Sequence, residues 1–429
     1  VSTEPTTKTT TTARQVPAIG RSGRFLLTAV TLVALMSATR IWTGFDNLTS
    51  SGTTGAALRL TVPILLAGLA GLWAERVGVL NIGIEGMMIF GTWFGAYGAW
   101  QWGPWAGLVL AIVGGMLGGG IHAIATIRYN IDQVISGVVI NLLALFGARY
   151  LSELFFVGQR QGGISQSPPQ SSGIPTIDFP FLAGGNIGGW KSPDVLLWFE
   201  ERGWFVIADI AGLLRGITAG VSLASLFALS LVPISAWILW RTSFGLRLRS
   251  SGESPQSAES LGVNVIRLRY YGLLISGGLA GLGGGFLSIV SSSYYRQGQT
   301  AGRGFIGLAT MIFGNWRPSG VLGGAALFGY SEGIKLVAGR SITGLFLFIA
   351  LISALTLLIS AGQRKQRRSI AAAVALILAM VAYLTINEVP DSLTQGLPYL
   401  ITLIVLATAS QRLRPPAQAG APYRPGEDH

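Results

Sequence analysis

The chain has 429 residues, half of them hydrophobic, only 11% charged and 60 of them glycine, whereas a soluble domain carries roughly 25% charged residues and about 7% glycine. Cysteine is absent and histidine is limited to His122 and His429, which excludes disulfides, cysteine-ligated metals, thiol nucleophiles and His-rich catalytic or metal sites. A formal net charge of +12 would suit nucleic acid, but on so apolar a chain it points to a basic membrane face, and no nucleic-acid partner is expected.

Residues 1–24, with TTKTTTTA among them, read as a polar, disordered cytoplasmic tail with too little apolar surface to fold. No small-residue cleavage site follows Trp42, so the run at 25–42 is expected to be a retained helix and not a signal peptide. Further runs long enough to cross a hydrocarbon core of about 30 Å lie at 57–75, 79–100, 104–127 and 131–151. A second group lies at 218–240, 268–290, 304–316, 318–338, 342–361, 370–386 and 396–411. Of these, 304–316 and 396–411 are short, either tilted companions or re-entrant pieces. The expected fold is an all-α polytopic membrane protein, a bundle of about 10–12 transmembrane helices with broken or re-entrant segments, over 25–411.

With the N-terminus inside, 19 of the 30 Lys and Arg residues fall on inner connections and tails, which places both termini, including the tail 412–429, in the cytoplasm. The loop at about 152–217, rich in Gly, Pro, Ser and Gln, then lies outside, with an amphipathic piece near Trp204 to Leu214 at the interface. Trp100, Trp102 and Trp105 belong to the outer aromatic belt. The glycine runs at 114–120, 277–285 and 320–329 suit close helix packing or, alternatively, a hinge lining a pathway.

Residues 71–93 place Glu75, Arg76, Asn81 and Glu85 beside apolar runs, where ionisable groups are costly and face a bundle interior or cavity. Gly78, Gly83 and Gly86 among them permit an irregular, re-entrant backbone, tolerated only where protein or water covers it. His122 reads as a packed or hydrogen-bonded core residue, and Asp132 as a helix cap or a partner of Arg128.

The stretch ERVGVLNIGIEGMM resembles the signature of bacterial ABC-transporter permeases of the simple-sugar and branched-chain-amino-acid type, most closely the nucleoside (guanosine-like) permeases. The blocks at 241–265 and 302–329, and the closing helix with its PP-A-G-PY tail at 397–427, are similar to the same family. The resemblance makes Glu75, Arg76, Gly78, Asn81, Gly83, Glu85 and Gly86 a family motif. It implies a permease subunit of an ATP-driven importer, with no catalytic residue, metal or cofactor of its own. The implied partners are a cytoplasmic ABC ATPase that hydrolyses the ATP, a second permease subunit, an extracytoplasmic substrate-binding lipoprotein and the lipid bilayer.

At the centre of the inner loop 241–267, Ser254 can cap a two-turn helix with Pro255 at its first position and Gly262 as its stop. The bland reading is a solvated loop helix. The resemblance implies an ATPase-coupling helix formed by Gly252, Glu253, Ser254, Pro255, Ala258, Glu259, Leu261 and Gly262. The flanking Arg247, Arg249, Arg267 and Arg269 read as membrane-surface anchors. No GxxxxGK[ST] sequence occurs, so the chain is not expected to hold ATP phosphates itself.

A nucleoside needs aromatic faces and hydrogen-bond partners, and Asn81, Glu85, Trp93 and Asn141 are the pathway candidates. Gly314, Asn315, Trp316 and Pro318 read as a gate or structural turn between two apolar segments. The rival function is an ion-coupled secondary transporter that uses Glu75, Glu85 or Asp132 as proton relays, and the rival substrate class is simple sugars.

Overall fold

The computed structural model describes residues 21–170, 172–337, 343–362, 366–386 and 413–424. Helices α1 (Arg21–Thr43), α2 (Ser51–Arg76), α3 (Ile84–Trp102), α4 (Pro104–Ala123) and α5 (Gln133–Phe155) form the first half. A long connection follows, with two-residue strands β1 (Thr176–Ile177), β2 (Asn186–Ile187) and β3 (Trp190–Lys191), short helices α6 (Val195–Glu201) and α7 (Ile207–Gly216), and β4 (Val221–Ser222). The second half comprises α8 (Leu223–Arg241), α9 (Ser243–Glu253), α10 (Pro255–Ser260), α11 (Val265–Phe286), α12 (Arg303–Phe313), α13 (Pro318–Val337), α14 (Thr343–Gly362) and α15 (Gln366–Thr385). The strands only staple the connection, β1 antiparallel to β4 and β2 to β3.

Among the described residues, seven helices are long and apolar enough to cross a membrane, and α1, α3 and α13, at 19 to 23 residues, are long helices beside them. Burial sorts them into layers. The apolar windows of α2 and α11 are 78% buried, those of α14 and α15 only 28% and 11%, so α2 and α11 form the axis and the last pair lies at the margin. Glycine sets how closely the axis is wrapped. A methyl group on Gly281 of α11 would have no room against the Ala111 carbonyl of α4, and one on Gly91 of α3 none against Gly281 itself. The runs at 114–120 and 277–285 are thus backbone-to-backbone packing surfaces, where small residues replace the hydrophobic drive that lipid does not supply.

Two expected spans differ. The run at 79–100 begins as a helix only at Ile84, because residues 77–83 are irregular backbone. The run at 304–316 is α12, whose eleven residues cover about 16 Å, half a hydrocarbon core. The run at 396–411 and the tail 1–20 lie outside the described residues. The amphipathic piece expected at Trp204 to Leu214 is α7, with Ile207, Ile210 and Leu214 exposed and Ala208, Asp209, Ala211 and Gly212 buried. An ion pair of 3.0 Å between Arg40 and the buried Asp209 ties it to α1. Asp132 resolves as a cap, its Oδ1 accepting from the amides of Val134 and Ile135.

Candidate functional site

The stretch 77–83 interrupts what would otherwise be one path from α2 into α3, and its peptide groups need partners that lipid cannot provide. Side chains of α4 and α5 supply several of them, and α11 holds the Asn81 side chain. Gln133 accepts from the Leu80 amide at 2.6 Å, and His122 Nε2 lies 3.0 Å from the Leu80 carbonyl. A carbonyl only accepts, so Nε2 carries the proton, and Nδ1 receives the Ser136 hydroxyl at 2.9 Å. Asn141 of α5 donates to the Ile82 carbonyl and accepts from the Gly86 amide at 2.7 Å. Asn81 donates to Ser276 of α11 at 2.9 Å, while its Oδ1 is buried without a partner among the described residues. Gly78, at φ +90°, makes the turn out of α2, and Gly83 and Gly86 let α3 lie directly on the backbone of α5.

Glu85 stands just inside α3 and faces the start of α12. Its carboxylate accepts from the Gly302 amide at 2.9 Å and from the Gly304 amide at 2.7 Å. The N-terminus of a half-length helix exposes unpaired amides and a positive dipole end, and a carboxylate at that place satisfies both. Beside it, Arg303 pairs with Glu332 of α13 at 2.7 Å. Trp93 lies deeper along α3, with its indole N–H on the Ser152 hydroxyl at 3.0 Å and its ring stacked on Tyr97 and Phe156. All four pathway candidates therefore hydrogen-bond to neighbouring backbone or side chains.

The far end of α12 returns to the end of α2. Asn315 and Trp316 both have positive φ, an uncommon pair of left-handed non-glycine residues. The turn is held by Arg76, which donates to the Trp316 carbonyl at 2.7 Å, and by the Trp316 indole, which donates to Glu75 at 2.6 Å. Gly314 packs on Gly320 just past Pro318, so the two arms of the turn touch. Trp316→Phe removes the indole donor from a buried carboxylate and is expected to cost about 1–3 kcal/mol, read as a lower melting temperature in detergent.

Past α8, α9 brings Gly252 onto the Arg76 carbonyl, and Glu253 forms an ion pair of 3.6 Å with Arg76. Helix α10 is a single short turn-and-a-half, starting at Pro255 after Ser254, whose hydroxyl bonds Ser257 Oγ and not a backbone amide. Pro255 and Ala258 are buried beneath it, Gly262 ends the turn at φ +77°, and Leu261 is 83% exposed. The tail segment 413–424 lies against this region. Gln418 donates to the Gly252 carbonyl, Ala417 to Glu253, and the Tyr423 hydroxyl to Glu259 at 2.7 Å. Burial and the neighbouring Glu259 push the Tyr423 phenol up to about 12, so it remains a donor at neutral pH.

Arg269 corrects one expectation. It is 3% exposed, under the Tyr423 ring and beside Gly78, and therefore is not a membrane-surface anchor. Sequence reasoning also passed over Gln133, Ser276, Arg303, Glu332 and Tyr423. Arg303 and Glu332 did carry a signal, as ionisable residues of opposite sign in neighbouring apolar segments. Single polar residues such as Ser276 carry none.

Residues 53–356 match the family described as branched-chain amino acid transport system / permease component. The guanosine ABC transporter permease protein NupQ of Bacillus subtilis is 34% identical over 290 residues, 66% of this chain and 81% of that protein. The nucleoside ABC transporter permease protein NupC of Lactococcus lactis is 29% identical over 372 residues, covering 85% and 93%. A putative glucose ABC transporter permease protein, TsgC13 of Haloferax volcanii, is 33% identical over 288 residues, covering 67% and 78%. No solved structure gives a significant match. The helical bundle, the interrupted α2–α3 joint and the family match over most of the chain lead to one assignment: this is a multi-pass membrane protein of the branched-chain amino acid transport system / permease component family.

Proposed function

We propose that the chain is the transmembrane subunit of an ATP-driven nucleoside importer. The observation that carries the substrate class is similarity over 85% of the chain to a permease protein named for nucleosides, with a second relative named for guanosine. In this reading the α10 end faces the cytoplasm together with both termini, and the connection after α5 faces outward. Two permease subunits enclose the pathway, a lipoprotein delivers solute from outside, and a separate ATPase receives α10. An exposed Leu261 on a short helix outside the bundle suits insertion into a partner's groove. Asn81, Glu85, Trp93 and Asn141 shape the pathway by fixing the interrupted helices that border it.

Vesicles holding the complete complex provide the test. Guanosine uptake is expected to require ATP and the ATPase and to exceed glucose uptake. Uptake that persists without ATP and collapses with a protonophore would instead establish an ion-coupled carrier using Glu75, Glu85 or Asp132. Leu261→Asp is expected to leave membrane insertion unchanged and to lower uptake per ATP hydrolysed by about tenfold, the effect of losing one buried apolar anchor. Unaltered coupling in that variant would remove α10 from the docking role.

A further inference from the structure

The tail 413–424 touches three places, each roughly a hundred residues or more upstream of it. Its Arg414 amide donates to Asn315 Oδ1, at the turn that closes on Glu75 and Arg76. Its middle is bonded to Gly252 and Glu253, at the end of α9. Its far end places Tyr423 between two groups, Glu259 of α10 at 2.7 Å from its hydroxyl and the Arg269 guanidinium of α11 at 5.1 Å from its ring centroid.

Arg269 makes the arrangement more than a surface contact. It is a buried cation with no carboxylate partner among the described residues, and its Nε and Nη2 have no hydrogen-bond acceptor there. The groups that compensate the charge both belong to the tail, the Tyr423 ring and the Ala421 carbonyl at 3.4 Å. A buried charge without compensation is costly, so the guanidinium favours the tail in place. The same guanidinium lies against Gly78, at the first bend of the interrupted stretch, and Gly420 lies over Leu80 in that stretch.

We infer that residues 413–424 are a strap that holds α10 in register with the interrupted stretch 77–83, with Tyr423 and Arg269 as its positioning residues. A displacement of α10 then reaches the joint by two routes. One runs from Glu259 through Tyr423 and Arg269 to Gly78. The other runs from Gly252 and Glu253 to Arg76 and the Trp316 turn. This inference rests on the reading of α10 as the element an ATPase docks on.

The test uses the complete complex with its ATPase in vesicles of phosphatidylethanolamine and phosphatidylglycerol, comparing the wild-type chain with Tyr423→Phe and Tyr423→Ala. Tyr423→Phe keeps the ring over Arg269 and removes only the bond to Glu259. It is expected to leave ATPase association intact and to lower guanosine transported per ATP hydrolysed by about fivefold, with a larger drop for Tyr423→Ala. Glu259→Gln combined with Tyr423→Phe is expected to be no worse than Tyr423→Phe alone, as for two residues acting through one contact. Hydrogen exchange gives a readout that needs no transport, since the amides of residues 77–83 are expected to exchange faster in Tyr423→Ala. Unchanged exchange there, or unchanged coupling in both tyrosine variants of an active complex, overturns the strap. A fall in ATPase association with normal transport per bound ATPase also overturns it, by making the tail a docking contact only. A wild-type complex without ATP-driven uptake or ATPase association defeats the importer reading instead, while the exchange result still decides whether the strap exists.

Discussion

Glu85→Ala is expected to reduce uptake to background and to destabilise the protein by about 3–5 kcal/mol, because it orphans two backbone donors at once. The amides of Gly302 and Gly304 both end on this carboxylate, and Gly304 is buried against it. The buried Gly304 amide loses its acceptor unless α12 moves. The start of α12 would then unwind or shift, taking with it the Arg303–Glu332 pair and the turn that rests on Glu75. Glu85→Gln keeps one acceptor oxygen but turns an NH2 group toward the second amide, so roughly half the loss is expected. Melting in detergent and uptake in vesicles, measured on the same preparations, separate two roles for this residue. A carboxylate that capped α12 lowers both. If Glu85→Ala raised KM for the solute with melting unchanged, the carboxylate would be a solute ligand and not a cap.

How much of this was legible beforehand depends on where the deciding partner sits. The glycine and ionisable content of residues 71–93 signalled an irregular, covered backbone without any structure, since Gly78, Gly83 and Gly86 alternate with groups that lipid cannot accommodate. Its extent was misjudged because Val79, Leu80 and Ile82 look like the first turn of a helix. What holds them out of a helix is Gln133, His122 and Asn141, residues 42 to 59 positions away that offer the backbone other partners. Arg269 was misplaced for a related reason. A basic residue next to an apolar run is ordinarily a surface anchor, and only the return of the tail after more than a hundred residues turns it into a buried one. Helix α12 shows the opposite case, where length alone was informative: eleven residues cannot cross a bilayer, and the fold uses the resulting free N-terminus at Glu85.

Gly281→Val is expected to remove the folded protein altogether, with little monodisperse material after solubilisation. The reason is the number of backbones meeting at one Cα. Gly281 faces the Ala111 carbonyl and Gly115 of α4, while Gly91 of α3 approaches it from another side. A branched side chain there cannot rotate away, because the atoms its Cβ meets are backbone atoms of α4, held by that helix's own hydrogen-bond ladder. Separating α3 and α4 from α11 by even the width of a methyl group would also strip the Asn81–Ser276 bond from the joint. A cost of about 4 kcal/mol or more follows, beyond what a marginally stable fold can absorb. Gly323 provides the contrast within the same helical context. It lies in α13 with open space where a Cβ would stand, so Gly323→Ala is expected to be neutral or to stabilise by about 0.5–1 kcal/mol through helix propensity. If both substitutions were tolerated alike, the glycines of α11 would not set the spacing of the bundle, and the contacts of the α2–α3 joint would have to be maintained by the side-chain bonds alone.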